Sequence, residues 1–341
     1  MKYLPKLLKL SLSMLLLLMT VAVLTNAQMS KVKTVFVVMM ENHNRVGNDA
    51  GASFEDPDID HNPLAPFING TLKKIAAQPL QYYNPPGNHP SQPNYLWLEA
   101  GTNFGLLADT KPGQVRGITP HTMHLVRLLQ DAGISWKAYA EPDYGSSPEF
   151  HVCPLDFSFL DVNHLAPVYF NDVNDGLNRN SPECLAHVVP YSHLAKDLTA
   201  HTTAQYNLVI PDLCHQGHEG VTPCDPSEPG SNTLRSDQWL KKNLPVIQRS
   251  DAYKQGGALF VIWDEAEDTD QYSDGPIFVF LLSPLAKGGG NRAYTNKIHY
   301  DHSSTLKTIE EIFKVTPLLG GAADPKTQDL SDLFKSDGAR K

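Results

Sequence analysis

Six apolar residues, Val35 to Met40, run without a break into Glu41, Asn42, His43 and Asn44. The same pattern recurs twice. "ALFVIW" at Ala258–Trp263 is followed by Asp264 and Glu265, and "YNLVIP" at Tyr206–Pro211 is followed by Asp212, His215 and His218. Apolar runs that each end in oxygen or imidazole donors are expected to bring those donors to one place. Carboxylates crowded together at low dielectric repel unless a cation neutralises them. Glu41, Asn42, Asp264 and Glu265 offer carboxylate and amide oxygens, the donor set of Mg²⁺, Ca²⁺ or Mn²⁺. The nearby histidines keep Zn²⁺ open. Taken singly, each acid is equally at home as a helix cap or a surface residue. Glu267, Asp268 and Asp270 read as a solvated loop.

A nucleophile is offered by "GNHPSQPNY" at Gly87–Tyr95. Ser91 stands between Pro90 and Pro93, which restrict the backbone on both sides of its hydroxyl. A rigid, exposed Ser beside a cation has its pKa lowered and becomes an activated nucleophile. His89 can donate to a phosphoryl oxygen or to a leaving group. By itself the segment also fits an ordinary Pro-rich turn. Gly-x-Ser-x-Gly, Gly-x-x-x-x-Gly-Lys and His-Glu-x-x-His are all missing, which disfavours an α/β-hydrolase elbow, a phosphate-cradling loop and a zinc protease helix.

The elements that must position these groups follow from the hydrophobic pattern. Thr34–Met40, Ala258–Trp263, Ile277–Ser283 and the shorter Tyr206–Pro211 are β-branched, aromatic and not alternating, as in strands covered on both faces. Thr122–Gly133 and Ser303–Phe313 carry apolar residues at helical spacing, and Gly133 is a helix stop. Strands alternating with helices predict an α/β fold, a three-layer sandwich with a mostly parallel central sheet, whose chemistry gathers beyond the carboxyl ends of the strands.

Composition bounds the setting. Lys2, Lys6 and Lys9 precede "LSMLLLLMTVAVL" and "TNA", the pattern of a secretory signal peptide over residues 1–27 with cleavage near Ala27. The apolar core is shorter than the ~20 residues of a membrane span. The destination is therefore secreted or periplasmic. Losing those three lysines and no acid moves the formal charge from -9 to -12, which disfavours nucleic acid as a partner. Residues 28–341 suffice for one large domain. In an exported chain the 4 Cys suggest two disulfides. Cys214 with Cys224 closes a short loop, leaving Cys153 with Cys184. A zinc site is the rival reading, without a Cys-x-x-Cys pair to support it.

In this order "VVMMENHN", "NHPSQPNY", "GISWKAYAEP", "HLAPVYFNDV", "PDLCHQGHEG", "SDQWLKKNLPVI", "FVIWDEAE" and "YDHSSTLKTIEEIF" resemble the successive blocks of the secreted phosphoesterases. That family holds acid phosphatases, phosphatidylinositol-phosphate phosphatases and non-specific phospholipases C, within the alkaline phosphatase superfamily. The likeness spans about Val35 to Leu333, and the compact chain looks more like the acid phosphatase branch than like the longer phospholipases. The likeness implies an alkaline-phosphatase-like fold. Ser91-Gln92-Pro93-Asn94 matches the nucleophile pattern Ser/Thr-x-Pro-Asn. The resemblance also implies Glu41, Asn42, Asp264 and Glu265 as ligands of one divalent metal ion. It places His302 before the last helix and His164 near the pocket, and keeps His218. With His89, read from its own segment, His218 and His302 are the expected phosphoryl-binding or proton-donating groups, and Asn94, His164 and His215 the expected substrate-binding ones. The chain departs from the family at Asp212, His215, Gln216 and Glu219, where Gln216 replaces an acid; His218 is kept. The implied activity is hydrolysis of a small-molecule or lipid phosphate monoester through a phosphoserine, favoured at mildly acid pH by imidazolium groups. A phospholipase C or phosphodiesterase and a silent binding protein on the same scaffold are the alternatives. Asn69-Gly70-Thr71 is a glycosylation sequon.

Overall fold

A computed structural model describes residues 28–45, 59–218, 223–228, 230–266 and 275–336. The expected signal peptide and the acids Glu267, Asp268 and Asp270 lie outside them. The first apolar run forms β1 (Thr34–Met40), every residue after Thr34 being buried. It lies between β5 (Tyr206–Ile210) and β6 (Gly257–Trp263), parallel to both. These two runs are likewise buried along their whole length, because both faces of the sheet are covered. Met40 is level with Trp263, so Glu41 and Asp264 leave the sheet side by side. The parallel ladder continues for one more rung, Asp264 N–H donating to the Met40 carbonyl.

Among the described residues the sheet has eight strands in the order β4-β3-β5-β1-β6-β7-β2-β8. The others are β2 (Ala77–Tyr83), β3 (Trp136–Ala140), β4 (Val188–Pro190), β7 (Val279–Leu282) and β8 (Tyr294–Asp301). The run expected at Ile277–Ser283 is β7, antiparallel to β6 and β2; the remaining neighbours pair parallel. An apolar run has no direction in its pattern, so this reversal could not be read from it. The sheet is mostly parallel, as expected.

Among the described residues five longer helices complete the frame: α1 (Ser91–Ala100), α2 (Leu125–Asp131), α3 (Ser192–Ala200), α4 (Asn232–Arg249) and α5 (His302–Phe313). The segment that also read as a Pro-rich turn is therefore the start of a helix. Pro93 occupies its first turn, where an amide hydrogen would find no intrahelical partner. α1 packs on α5, fastened by Trp97 Nε1 donating to Ser303 Oγ over 2.8 Å. α5 opens with a capping box in which Asp301 and Ser304 bond each other's backbone N–H.

Both disulfides pair as expected, Cys153–Cys184 and Cys214–Cys224, leaving no free cysteine. The sequon fares differently. Asn69 Nδ2 donates to the carbonyls of Ile59, Asn62 and Ala65, and its Oδ1 accepts from His61 N–H. In the folded chain that amide is already committed.

Candidate active site

α1 begins at the carboxyl edge of β1 and β6 and carries Ser91, Asn94 and Tyr95 on one face, at positions i, i+3 and i+4. Each reaches a carboxylate from the strand ends. Ser91 Oγ lies 2.9 Å from Glu41 Oε2 and 3.3 Å from Glu265 Oε1. Asn94 Nδ2 donates to Glu265 Oε2 over 2.9 Å, and Tyr95 OH to Glu41 Oε1 over 2.8 Å. His89 Nδ1 meets Glu265 Oε2 at 2.8 Å, and His164 Nε2 meets Glu41 Oε1 at 3.2 Å.

The donors divide each carboxylate in two. Tyr95 and His164 hold the outer oxygen of Glu41, while Asn94 and His89 hold the outer oxygen of Glu265. The inner oxygens, Glu41 Oε2 and Glu265 Oε1, converge on Ser91 Oγ and the Asn42 amide. Asn94 is fixed in turn, exchanging hydrogen bonds with the Asn88 side chain and carbonyl at 2.9 and 2.8 Å.

Asn42 has a left-handed backbone, φ 45°. Asn tolerates this torsion better than most residues. Successive residues of a strand face opposite ways; this reversal lets Glu41 and Asn42 serve the same point. The amide oxygen faces the two inner carboxylate oxygens, acceptor to acceptor. Turned over, Nδ2 would donate to Glu265 Oε1 and Glu41 Oε2, each at 3.1 Å. Asn42 N–H donates to Asp264 Oδ1 over 3.0 Å, and the buried Asp264 Oδ2 has no hydrogen-bond partner.

These residues fit a hard divalent cation. Glu41, Asp264 and Glu265 are buried together. Burial, and then the charge of Glu265, pushes the Glu41 carboxyl up to about 8. Burial and the charges of Glu41 and Glu265 hold Asp264 far above the usual carboxylate range, and burial raises Glu265. Oxygens spaced by 2.9–3.3 Å match the edge of an octahedron with metal–oxygen bonds of about 2.1 Å. A cation would also give the orphaned Asp264 Oδ2 and the Asn42 oxygen a partner.

The remaining expected residues separate. Ser91 was expected to be exposed and is 3% exposed, because the strand-end carboxylates and α1 close around it. His164 is buried and stacked on Tyr95, with ring centroids 4.6 Å apart, and burial keeps it neutral. It holds Glu41, where a contact with substrate was expected. His302 accepts from Tyr82 OH at Nδ1 over 3.0 Å, and its Nε2 donates to the Asp264 carbonyl. Burial lowers its pKa to about 4. Both nitrogens being engaged, His302 braces the backbone of Asp264, whereas proton donation was expected. His218 lies near Asp161 and His164, whose titrations feel its charge.

His215 belongs to a separate cluster. Its Nδ1 is 3.0 Å from Glu141 Oε2 and 3.2 Å from Asp212 Oδ1, and its Nε2 is 2.8 Å from Glu228. Glu141 Oε2 also accepts from Trp239 Nε1 and Asp212 N–H. Glu141, Asp212 and His215 are close enough to gather a cation, but here the ring supplies the positive charge. Burial opposes it, yet the hydrogen bond and charge of Glu141, with Asp212 and Glu228, raise the ring to about 9. Sequence reasoning missed Glu141, Asn88 and Tyr95. Of these only Tyr95 had a signal, its i+4 spacing from Ser91, once a helix is drawn there.

A family model, "Phosphoesterase family", matches residues 80–316. The chain belongs to the phosphoesterase family. It is a phosphoric ester hydrolase with the fold of the alkaline phosphatase superfamily. A phosphatidylinositol-3-phosphatase of Mycobacterium tuberculosis is 28% identical over 254 residues, 74% of this chain and 71% of that protein. A probable acid phosphatase of Kluyveromyces lactis is 24% identical over 65% of this chain and 48% of its own length. A phosphate-repressible acid phosphatase of Penicillium chrysogenum is 23% identical over 73% and 55%. The chain thus spans about half the length of these fungal relatives. Among solved structures, lipoteichoic acid synthase LtaP from Listeria monocytogenes superposes with a TM-score of 0.51 and 13% identity over 92% of this chain and 81% of that one. A protein in the alkaline phosphatase superfamily from Vibrio parahaemolyticus gives 0.50 and 12% over 86% and 70%. At these identities the structures speak for the fold alone.

Proposed function

We propose that this phosphoesterase is a secreted, metal-dependent acid phosphatase that hydrolyses phosphate monoesters through a phosphoserine at Ser91. One observation carries the reading: a serine at the N-terminus of a helix meets the inner oxygens of two buried carboxylates whose outer oxygens are fully held. The helix end adds positive potential where the nucleophile meets the phosphoryl group. Glu41, Asn42, Asp264 and Glu265 would hold one divalent ion, Mg²⁺, Ca²⁺ or Mn²⁺ in preference to Zn²⁺. When bound, it supplies Lewis-acid stabilisation of anionic oxygen.

The chain's own groups supply the rest. Glu41 Oε2, 2.9 Å from Ser91 Oγ, is placed to take the hydroxyl proton. The Oγ–phosphorus bond forms as the ester oxygen departs with a proton from His89 or His218. Water then cleaves the phosphoserine and releases inorganic phosphate. Asn94 keeps Glu265 turned inward throughout. The two disulfides and the leader-like residues 1–27 support export; among the described residues no helix is long and apolar enough to cross a membrane.

The test is direct. Wild type mixed with a monoester such as p-nitrophenyl phosphate and quenched in acid should carry phosphate on Ser91, located by mass spectrometry. Quenched enzyme that turns over without ever carrying phosphate would refute the intermediate. A monoester carried on an inositol lipid is a second reading, favoured by the mycobacterial relative matched over 71% of its length. Comparing p-nitrophenyl phosphate, its bis-ester and phosphatidylinositol 3-phosphate separates both readings from a phosphodiesterase.

A further inference from the structure

We infer that Gln216 is a positioning residue for the reaction, setting through His164 the proton that holds the outer oxygen of Glu41. The inference rests on the metal-holding role proposed for Glu41. Three residues from three segments close a ring. Glu41 N–H donates to the Gln216 carbonyl over 3.0 Å, Gln216 Nε2 meets His164 Nδ1 at 2.9 Å, and His164 Nε2 meets Glu41 Oε1 at 3.2 Å. Residue 216 therefore holds Glu41 twice, by its backbone and through an imidazole. All three are buried, Glu41 and Gln216 being 0% exposed.

The direction of each bond follows from the carboxylate. With Glu41 ionised, as a bound cation would keep it, His164 Nε2 faces an oxygen that can only accept, so that nitrogen carries the hydrogen. A neutral ring then presents a lone pair at Nδ1, which calls for a donor, and the Gln216 amide nitrogen supplies it. Turning the amide over would place hydrogen on Nδ1 and leave two lone pairs facing each other at Glu41. Its orientation is thereby decided even though the buried Gln216 Oε1 is left without a hydrogen-bond partner. An acid at this position, as the family resemblance would have it, has no hydrogen to give when ionised. It would need a doubly protonated ring to make the same two contacts. Gln216 makes them with a neutral one, adding no charge beside the three carboxylates.

The experiment uses the full chain. Nitrogen-15 histidine spectra of the Mg²⁺-loaded wild type should show His164 protonated at Nε2 alone, with its resonances assigned by their loss in His164→Phe. Gln216→Met keeps the volume and removes the donor. It should weaken Mn²⁺ binding, measured by calorimetry, about tenfold, and lower kcat at saturating Mn²⁺ with KM unchanged. His164→Phe preserves the stack on Tyr95 and should cost a similar factor, and the double variant should cost no more than His164→Phe alone. Losses that multiply in the double variant, or a wild-type ring protonated at Nδ1, would overturn the inference. The wild-type and His164→Phe spectra decide even if Gln216→Met fails to fold. A wild type without phosphatase activity would undo the proposed function and leave the spectrum and the Mn²⁺ cycle standing.

Discussion

Ser91 and Tyr95 stand one turn apart on α1 and take opposite oxygens of the same carboxylate, Ser91 Oγ at 2.9 Å from Glu41 Oε2 and Tyr95 OH at 2.8 Å from Oε1. Their substitutions should therefore part company. Ser91→Ala removes the proposed nucleophile and should lower phosphate release by about 10⁴-fold or more, with an unchanged circular dichroism spectrum. Tyr95→Phe keeps the nucleophile and leaves the outer oxygen held by His164 alone. It should weaken metal binding by roughly tenfold, and activity should return at high metal concentration.

Without a cation, the strand-end carboxylates make stability fall as pH rises. The Glu41 carboxyl, at about 8 in the fold against an ordinary 4.5, keeps its proton where the unfolded chain has lost it. Its stabilising share is complete below about 4.5 and disappears as pH passes 8. Bound metal takes over the proton's role. The rise in melting temperature on adding Mg²⁺ or Mn²⁺ to stripped protein should accordingly be larger at pH 8 than at pH 5. An equal rise at both would count against the site.

His302 offers a cleaner pH test. Burial holds it at about 4, so it stays neutral across the mildly acid range in which three imidazoliums were expected to act. His302→Gln should lower metal affinity by loosening Asp264 and leave the acid limb of the kcat profile in place. His89→Gln should move that limb, since His89 meets Glu265 at the mouth of the site.

The His215 cluster predicts a second stability transition, away from the catalytic residues. A ring raised from 6.5 to about 9 contributes fully below 6.5 and is lost as pH rises through 9. The wild-type melting temperature should drop over that interval, and His215→Gln should flatten the drop.

The two disulfides close stretches of 31 and 10 residues. Loop-closure entropy gives roughly 3.7 kcal/mol for the longer and about 2.7 kcal/mol for the shorter. Paired Cys→Ser variants should rank in that order by denaturant midpoint. Activity should suffer more from losing Cys214–Cys224, whose loop carries His218.

Legibility followed burial. β1 and β6 were plain because every position after the first is apolar, and the proposed ligands stood out because they interrupt that pattern. β8 was hidden because it reads "YTNKIHYD" and is mostly solvent-facing; β3 carries Lys137 among its apolar residues and β4 is only 3 residues long. α1 was ambiguous because its first turn contains Pro93, and α4 carries Pro245 in its interior. The roles of His164 and His302 were not readable at all. Which way a buried imidazole points depends on Gln216, Tyr82 and the Asp264 carbonyl, partners 38 to 220 residues away.

The left-handed torsion at Asn42 limits how this centre can drift. Glycine or aspartate can adopt the bend, but valine and isoleucine, branched next to the main chain, cannot without strain. A descendant carrying either of them there would straighten the chain, swing the neighbouring side chain to the far face of the sheet, and have to recruit its fourth oxygen donor from another strand.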